Sequence, residues 1–188
     1  MKKIAFCLAF ASAFMLCTAA SAQGHFGGSV GRTDLSSDCS GTTSCDKSGN
    51  GGKLFGGYSF LPNLAGELVY LNFGKAKAAA NFGGTFVNAE IKTFGFGAGV
   101  ALMGDFAPGW NGVARLGVAR MTADVSGSAL GISTSDKENS TQAYLGLGVG
   151  YAVTKGISID LSADFSRSRY AGESSSVRML GVGMTFKF

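Results

Sequence analysis

Charge is scarce in this sequence. Asp, Glu, Lys and Arg make up 15% of its 188 residues, against roughly 25% in an ordinary soluble domain. There are two prolines, one tryptophan and one histidine. Long apolar runs are missing except at the extreme N-terminus, which excludes a protein that crosses a membrane with several helices. The formal net charge is +4, and without Lys2 and Lys3 it is about +2, too small a surplus to point to nucleic acid. A single histidine beside a handful of cysteines gives no four-ligand zinc pattern, and no other metal or cofactor motif is present. What the chain has instead is glycine and phenylalanine, 30 and 15 residues. Glycine is more than twice as frequent as the usual value of about 7%. It keeps no three-residue period, so collagen is excluded. With 46% hydrophobic and 11% aromatic residues, the chain is also too apolar to be disordered. Its length suits one domain, or at most a small second one.

The N-terminus has the layout of a secretory signal peptide. Lys2 and Lys3 form a positive start, residues 4–16 are apolar, and Ala20-Ser21-Ala22 supplies small residues for cleavage. The expected division is therefore a signal peptide over 1–22 and one domain over 23–188. Leu16 and Met15 before Cys17 do not suit a lipidation signal, and the apolar stretch is short for a span of about 20 residues. Export changes the cysteine reading. Cys39 and Cys45, with five residues between them in a polar segment, read as a disulfide in an oxidising compartment. Closing so small a loop contributes about 2 kcal/mol on the chain-entropy model.

Beyond residue 22 the dominant period is two. Leu180, Val182, Met184, Phe186 and Phe188 alternate with Met179, Gly181, Gly183, Thr185 and Lys187. Ile157, Ile159, Leu161, Ala163 and Phe165 alternate with Ser158, Asp160, Ser162 and Asp164. Residues 144–153 and 94–102 repeat the pattern with glycine on the second face, and 26–33, 54–60, 64–73 and 112–122 are weaker copies. That gives eight strands of roughly 8–11 residues, the length of a tilted membrane-spanning strand. Their connections alternate too. Those at 62–63, 104–109 and 154–156 are short, whereas 34–52, 75–89, 123–140 and 167–175 are longer and polar. Short turns at one end and long loops at the other predict an all-β, eight-stranded antiparallel up-and-down transmembrane β-barrel. A soluble barrel would turn its polar face outward. Here that face is largely Gly, Ser and Ala, which suits the cramped interior of eight strands better than a solvated exterior.

Placed on these strands, the residues resemble the OmpA-like outer-membrane barrel family. Phe55-Gly56-Gly57-Tyr58, Pro62, Glu67, Tyr70 and Phe73-Gly74 are similar to its second and third strands. Ala114-Arg115-Leu116-Gly117 resembles its fifth strand, and Tyr151-Ala152-Val153-Thr154 the end of its sixth. The terminal Phe188 is similar to the signal read by the outer-membrane assembly machinery. The resemblance covers the chain after the leader and implies residence in the bacterial outer membrane. It also implies a small barrel-only member, because the chain ends where OmpA continues into a peptidoglycan-binding domain. Such members imply adhesion, host contact or envelope support through the loops, and a monomer. The family's best-known member has a gate-like lumen cluster of two acids and two bases. Glu67 and Arg115 match it, while Asp160 stands in place of an arginine and Ala101 in place of a lysine, so that gate does not carry over intact.

Two charge patterns follow. Glu67, Arg115 and Asp160 fall on inward positions three or four residues into upward strands, which predicts a shared level with Arg115 bridging two carboxylates. This cluster either plugs the lumen or constricts a narrow pore. On the outward face, Arg32, Lys92, Arg120, Arg167 and Arg178 all fall toward the outer strand ends, where a cation costs about 0–1 kcal/mol. They are expected either to meet lipopolysaccharide phosphates or simply to snorkel at the rim. Trp110 and Phe106 suit an aromatic girdle at the inner end.

No catalytic constellation is evident. The lipid A-modifying barrels pair a His with a Ser near the outer surface, whereas His25 starts the first strand at the opposite end and reads as frayed. The glycine runs at 95–99 and 146–150 keep the strand period and open no helix, so they are not phosphate loops. The expected function is a structural or surface-interaction barrel acting through its extracellular loops, with no enzyme activity. A narrow channel for ions or small solutes ranks second, and a lipid A-modifying enzyme is the remote third.

Overall fold

Alternating apolar residues with glycine between them leave the chain one favourable course, a sheet whose bulky face has somewhere apolar to go. The computed structural model describes residues 24–36, 44–46, 48–82, 85–129, 132–170 and 173–188. Its strands are β1 (Gly24–Leu35), β2 (Ser44–Asp46), β3 (Ser48–Leu61), β4 (Leu64–Phe82) and β5 (Thr85–Ala107). They continue with β6 (Trp110–Ala129), β7 (Ile132–Thr154), β8 (Ile157–Tyr170) and β9 (Glu173–Lys187). The strand order is β2-β4-β3-β1-β9-β8-β7-β6-β5, and β5 pairs back onto β4. The ring is thus a closed, antiparallel, up-and-down barrel of eight strands. The three-residue β2 lies outside the ring, against Lys77–Ala79 of β4. The expected signal peptide lies outside the described residues, as does Cys39 of the expected disulfide.

The apolar face points outward. Val30, Leu68, Phe96, Leu116, Leu161 and Leu180 are all exposed, which is the inverse of a soluble barrel and the requirement of one set in lipid. One end carries the tight turns Pro62-Asn63, Pro108-Gly109 and Lys155-Gly156. Gly109 has φ +78°, so this Pro-Gly pair has the proline-then-left-handed order of a type II turn. Around the same end Tyr58, Phe60, Phe106, Trp110, Tyr151 and Phe188 are exposed. Trp110 meets Tyr151 edge-on at 5.3 Å, and Phe26 stacks on Phe186 at 5.0 Å. This is the inner aromatic girdle. Hydrogen bonds between Gly24 and Phe188 fasten β9 to β1 there.

The other end differs from the sequence expectation. A membrane strand needs about 9–11 residues, yet β5 and β7 have 23 each, β4 has 19 and β6 has 20. Most of the segments 75–89 and 123–140, expected as loops, is strand. β4 and β5 stay paired from Lys75↔Lys92 to Phe82↔Thr85, and β6 and β7 pair out to Ala129↔Ile132. Above the bilayer both faces of a strand meet water, so no alternation is needed and the sequence signal vanishes. The ladder continues because every further pair satisfies backbone groups. A bulge between Asn72 and Lys75 marks the transition. There Gly74 takes φ +74°, and its amide donates to the Asn72 side chain at 2.9 Å.

Among the described residues the projecting strands do not form a complete ring. Pairing of β7 with β8 stops at Leu145↔Phe165. Farther out, among the described residues, β7 pairs with β6 alone. Across the seam the Ser166 hydroxyl donates to the Ala143 carbonyl at 3.0 Å.

Candidate functional site in the barrel lumen

The chemistry of the barrel lies inside it, at half height. β4 supplies Glu67, β6 Arg115, β1 His25, β3 Lys53 and Phe55, β7 Tyr144 and β8 Asp164, each on the inward face of its strand. Glu67 is shared between two donors. Arg115 Nε reaches Oε2 and His25 Nε2 reaches Oε1, both at 2.7 Å. Since Nε2 faces a carboxylate, that nitrogen carries the hydrogen. Lys53 Nζ contacts both oxygens of Asp164 at 2.8 Å. The Tyr144 hydroxyl donates to Asp164 Oδ1 at 2.6 Å and Ser162 to Oδ2 at 3.3 Å. Phe55 stands between the two groups. The Arg115 guanidinium lies 4.3 Å from its ring centre and Lys53 Nζ 5.5 Å, both within cation–π range.

Burial makes this arrangement compulsory. Lys53 is 2% exposed and Asp164 0%, so neither charge could stand without its partner. Two acids face two bases, and each carboxylate has a further hydrogen bond. Glycine makes the close approach possible. A Cβ on Gly57 would fall 2.7 Å from both the Glu67 side chain and the His25 ring, and one on Gly146 would fall 2.7 Å from the Tyr144 hydroxyl.

The structure brings Glu67 and Arg115 together but leaves Asp160 out. Asp160 instead accepts from Thr185 at 2.5 Å. The reason is stagger. In a tilted barrel, neighbouring strands are offset, so counting residues from each strand's start misjudges the level. Arg115 is in register with Gly146 and through it with Asp164, whereas Asp160 is in register with Gly150 and Asn111. The second carboxylate at this level is therefore Asp164, and it pairs with Lys53 rather than sharing Arg115 as expected. It has the same parity as Asp160 in the alternating run, so the signal was available. Lys53 sits one residue before the expected strand 54–60 and escaped for that reason. His25 corrects another expectation. It is not frayed but pairs within β1, is 4% exposed and belongs to the cluster.

Below the cluster a polar cavity of about 160 Å³ is lined by His25, Ser29, Arg115, Asp160 and Lys187, among others. Above it the lumen is mainly apolar, with Thr33 and Thr93 buried among the apolar side chains. Leu71, Phe73, Met121, Val177 and Met179 are at most 1% exposed and pack in one cluster. Phe73 is six residues outward of Glu67 on β4, and Met121 six outward of Arg115 on β6. Each step is about 15 Å along the axis, at roughly 3.3 Å per residue and a tilt near 40°. The lumen is thus layered, with a polar inner cavity, a belt of ion pairs, then a packed, mainly apolar cluster.

On the outer face, Arg32, Arg120, Arg167 and Arg178 are exposed. Lys92 is half-buried, with its Nζ 5.6 Å from the Phe94 ring centre. Phe188 is exposed at the inner end.

No curated protein sequence matches the chain. Among solved structures, neisserial surface protein A superposes with a TM-score of 0.62 at 16% identity, over 88% of this chain and 97% of that one. The attachment invasion locus protein Ail of Yersinia pestis gives 0.56 at 17%, over 89% and 100%. OprG of Pseudomonas aeruginosa gives 0.54 at 15%, over 89% and 98%. At such identities the likeness carries the fold alone. The model of the outer membrane protein β-barrel domain matches residues 6–188, and the chain therefore belongs to that family, a barrel of the bacterial outer membrane.

Proposed function

We propose that this protein is a non-conducting barrel that anchors a projecting sheet at the cell surface, where the sheet binds a macromolecular partner. The observation that carries this reading is the plug. Phe73, Met121, Met179, Leu71 and Val177 form a buried apolar cluster in the outer half of the lumen. An apolar constriction that excludes water also stops ions. The charged belt beneath is internally neutralised and reads as structure.

The surface role is supported by what projects. Strands β4 to β7 continue past the membrane as one curved sheet. The outward edge of β7, residues 133–143, has β6 on one side and no strand on the other among the described residues. Such an edge can take an extended segment of a partner by strand addition. Its polar sequence, with Asp136, Lys137 and Glu138 among serines and threonines, keeps it from pairing indiscriminately. A second copy in the same membrane suits the edge poorly. Its β7 would run in the same direction and offer the same edge, so a monomer is the matching state. The exposed Phe188 fits an assembly signal at the inner end, and an enzymatic role forms no part of this reading.

Conductance of the refolded barrel in planar bilayers tests the proposal. The expected result is no steady current, for the parent and for Arg115→Ala alike. A persistent open level in the parent, abolished or altered by Arg115→Ala, would overturn it in favour of the narrow channel. That second reading draws on the two acids and two bases set above a polar cavity.

A further inference from the structure

The lipid-facing surface carries a feature that a plain anchor does not need. Arg32 on β1 is in register with Leu180 of β9, and Arg167 on β8 with Ser176 of β9. Arg178 lies on β9 between Leu180 and Ser176, so it is the diagonal neighbour of both arginines, within about 8 Å on the same face. All three are exposed. The diagonal offset compensates strand tilt, which brings the three guanidiniums to nearly one height on three successive strands. Arg178 and the girdle residue Phe188 are ten residues apart on the same face of the last strand. That is about 33 Å along the strand and about 25 Å along the axis, the height of the apolar band. The arc therefore sits at the outer headgroup level. Asp34 offsets one charge, with its Oδ2 3.6 Å from Arg178 Nε. Arg169 adds another on the same face one step outward.

Below the arc and to one side of it, the surface is dented. An open groove of about 750 Å³ is lined by Leu102, Ala114, Leu147, Leu161, Ala163 and Leu180 and reaches Asn63 and Gly104 at the inner end, with Leu180 at its upper end next to the arc. Its course is set by register. Leu102, Ala114, Leu147, Ala163 and Leu180 are successive cross-strand partners, and the row ends at Arg32. At about 4.8 Å between strands it runs roughly 24 Å obliquely down from the arginines, with small side chains at Ala114 and Ala163.

We infer that this is a built site for one phosphorylated glycolipid of the outer leaflet, its phosphates on Arg32, Arg167 and Arg178 and one acyl chain along the groove. Three guanidiniums side by side repel one another, and bidentate phosphate contacts remove that cost. The groove supplies apolar contact for a chain that leaves the headgroup at the same point. Lys92, over its phenylalanine, and Arg120, on the far side of β7, do not belong to the site.

The test reconstitutes the protein in phosphatidylcholine nanodiscs doped with bisphosphorylated lipid A and counts retained lipid by native mass spectrometry. Retention of lipid A above its bulk fraction is expected. The triple variant Arg32→Gln/Arg167→Gln/Arg178→Gln should lose it by about tenfold or more, the scale of one lost charge-assisted contact. Ala163→Phe, which fills the groove and leaves the arginines intact, should also lower it, whereas Arg120→Gln should not. Folding of each variant is checked by its heat-dependent gel mobility. The inference is overturned by any one of three results. They are unchanged retention in the triple variant, equal retention of phosphatidylglycerol (charge without a site), or full displacement by inorganic phosphate (headgroup contact without the groove).

Discussion

Removing the lysine from the Lys53–Asp164 pair tests the energetic reading of the lumen most directly. Lys53→Met keeps the length and apolar stem of the side chain but deletes its charge. Asp164, 0% exposed, is then left with the Tyr144 and Ser162 hydroxyls, which cannot neutralise it. Breaking a buried pair on one side costs about 3–5 kcal/mol. That shifts the folding equilibrium roughly a hundred- to a few-thousand-fold at 1.4 kcal/mol per decade. Replacing both partners, Lys53→Met with Asp164→Leu, removes the stranded charge and should recover most of the loss. The assay is urea unfolding from lipid vesicles followed by fluorescence of Trp110, the sole tryptophan. Trp110 sits in the inner girdle and leaves the membrane only when the barrel opens. Exposed Arg169→Met serves as the control for losing a cation. A single-variant cost below about 1 kcal/mol, or a double variant no better than the single, would refute the claim that this pair is a buried, mutually dependent unit.

Other consequences are as specific. Gly146→Ala should destabilise the barrel by about 1–3 kcal/mol by overpacking, because its Cβ meets the Tyr144 hydroxyl. In a Tyr144→Phe background the same substitution should cost less, and equal costs in both backgrounds would contradict the contact. Gly109→Ala should cost about 1–2 kcal/mol for the left-handed backbone without changing conductance or lipid retention, measured by the same urea titration. In hydrogen exchange, amides of residues 133–143 should alternate, slow where they face β6 and fast where they face the seam. Uniform protection would mean that β8 or another strand covers that edge.

How far the sequence reached can be followed along single strands. Residues 157–165 show strict alternation, so both the existence of β8 and its inward face were legible, Asp164 included. Residues 132–143 show none, because a strand in water on both faces needs no pattern, and β7 grew by a dozen residues beyond its visible core. Glu67 and Arg115 were recognisable as inward charges, and the structure joins them. Lys53 lay at a strand edge where the pattern is weakest. His25 was judged by its nearness to the barrel's end, although pairing on both sides holds it in the ladder.

By itself, then, the sequence determined the kind of object this is. A two-residue period with one bulky apolar face, short turns alternating with long polar segments, and glycine where side chains must be small can be satisfied only by a narrow barrel facing lipid. Which charges meet was decided by the tertiary structure alone. Partners in a barrel are chosen by stagger between strands distant in the chain, and stagger is a property of the closed ring. The same stagger put Asp164 rather than Asp160 beside Lys53, stacked Phe73 and Met121 into a plug, and drew three separate arginines into one arc above a groove.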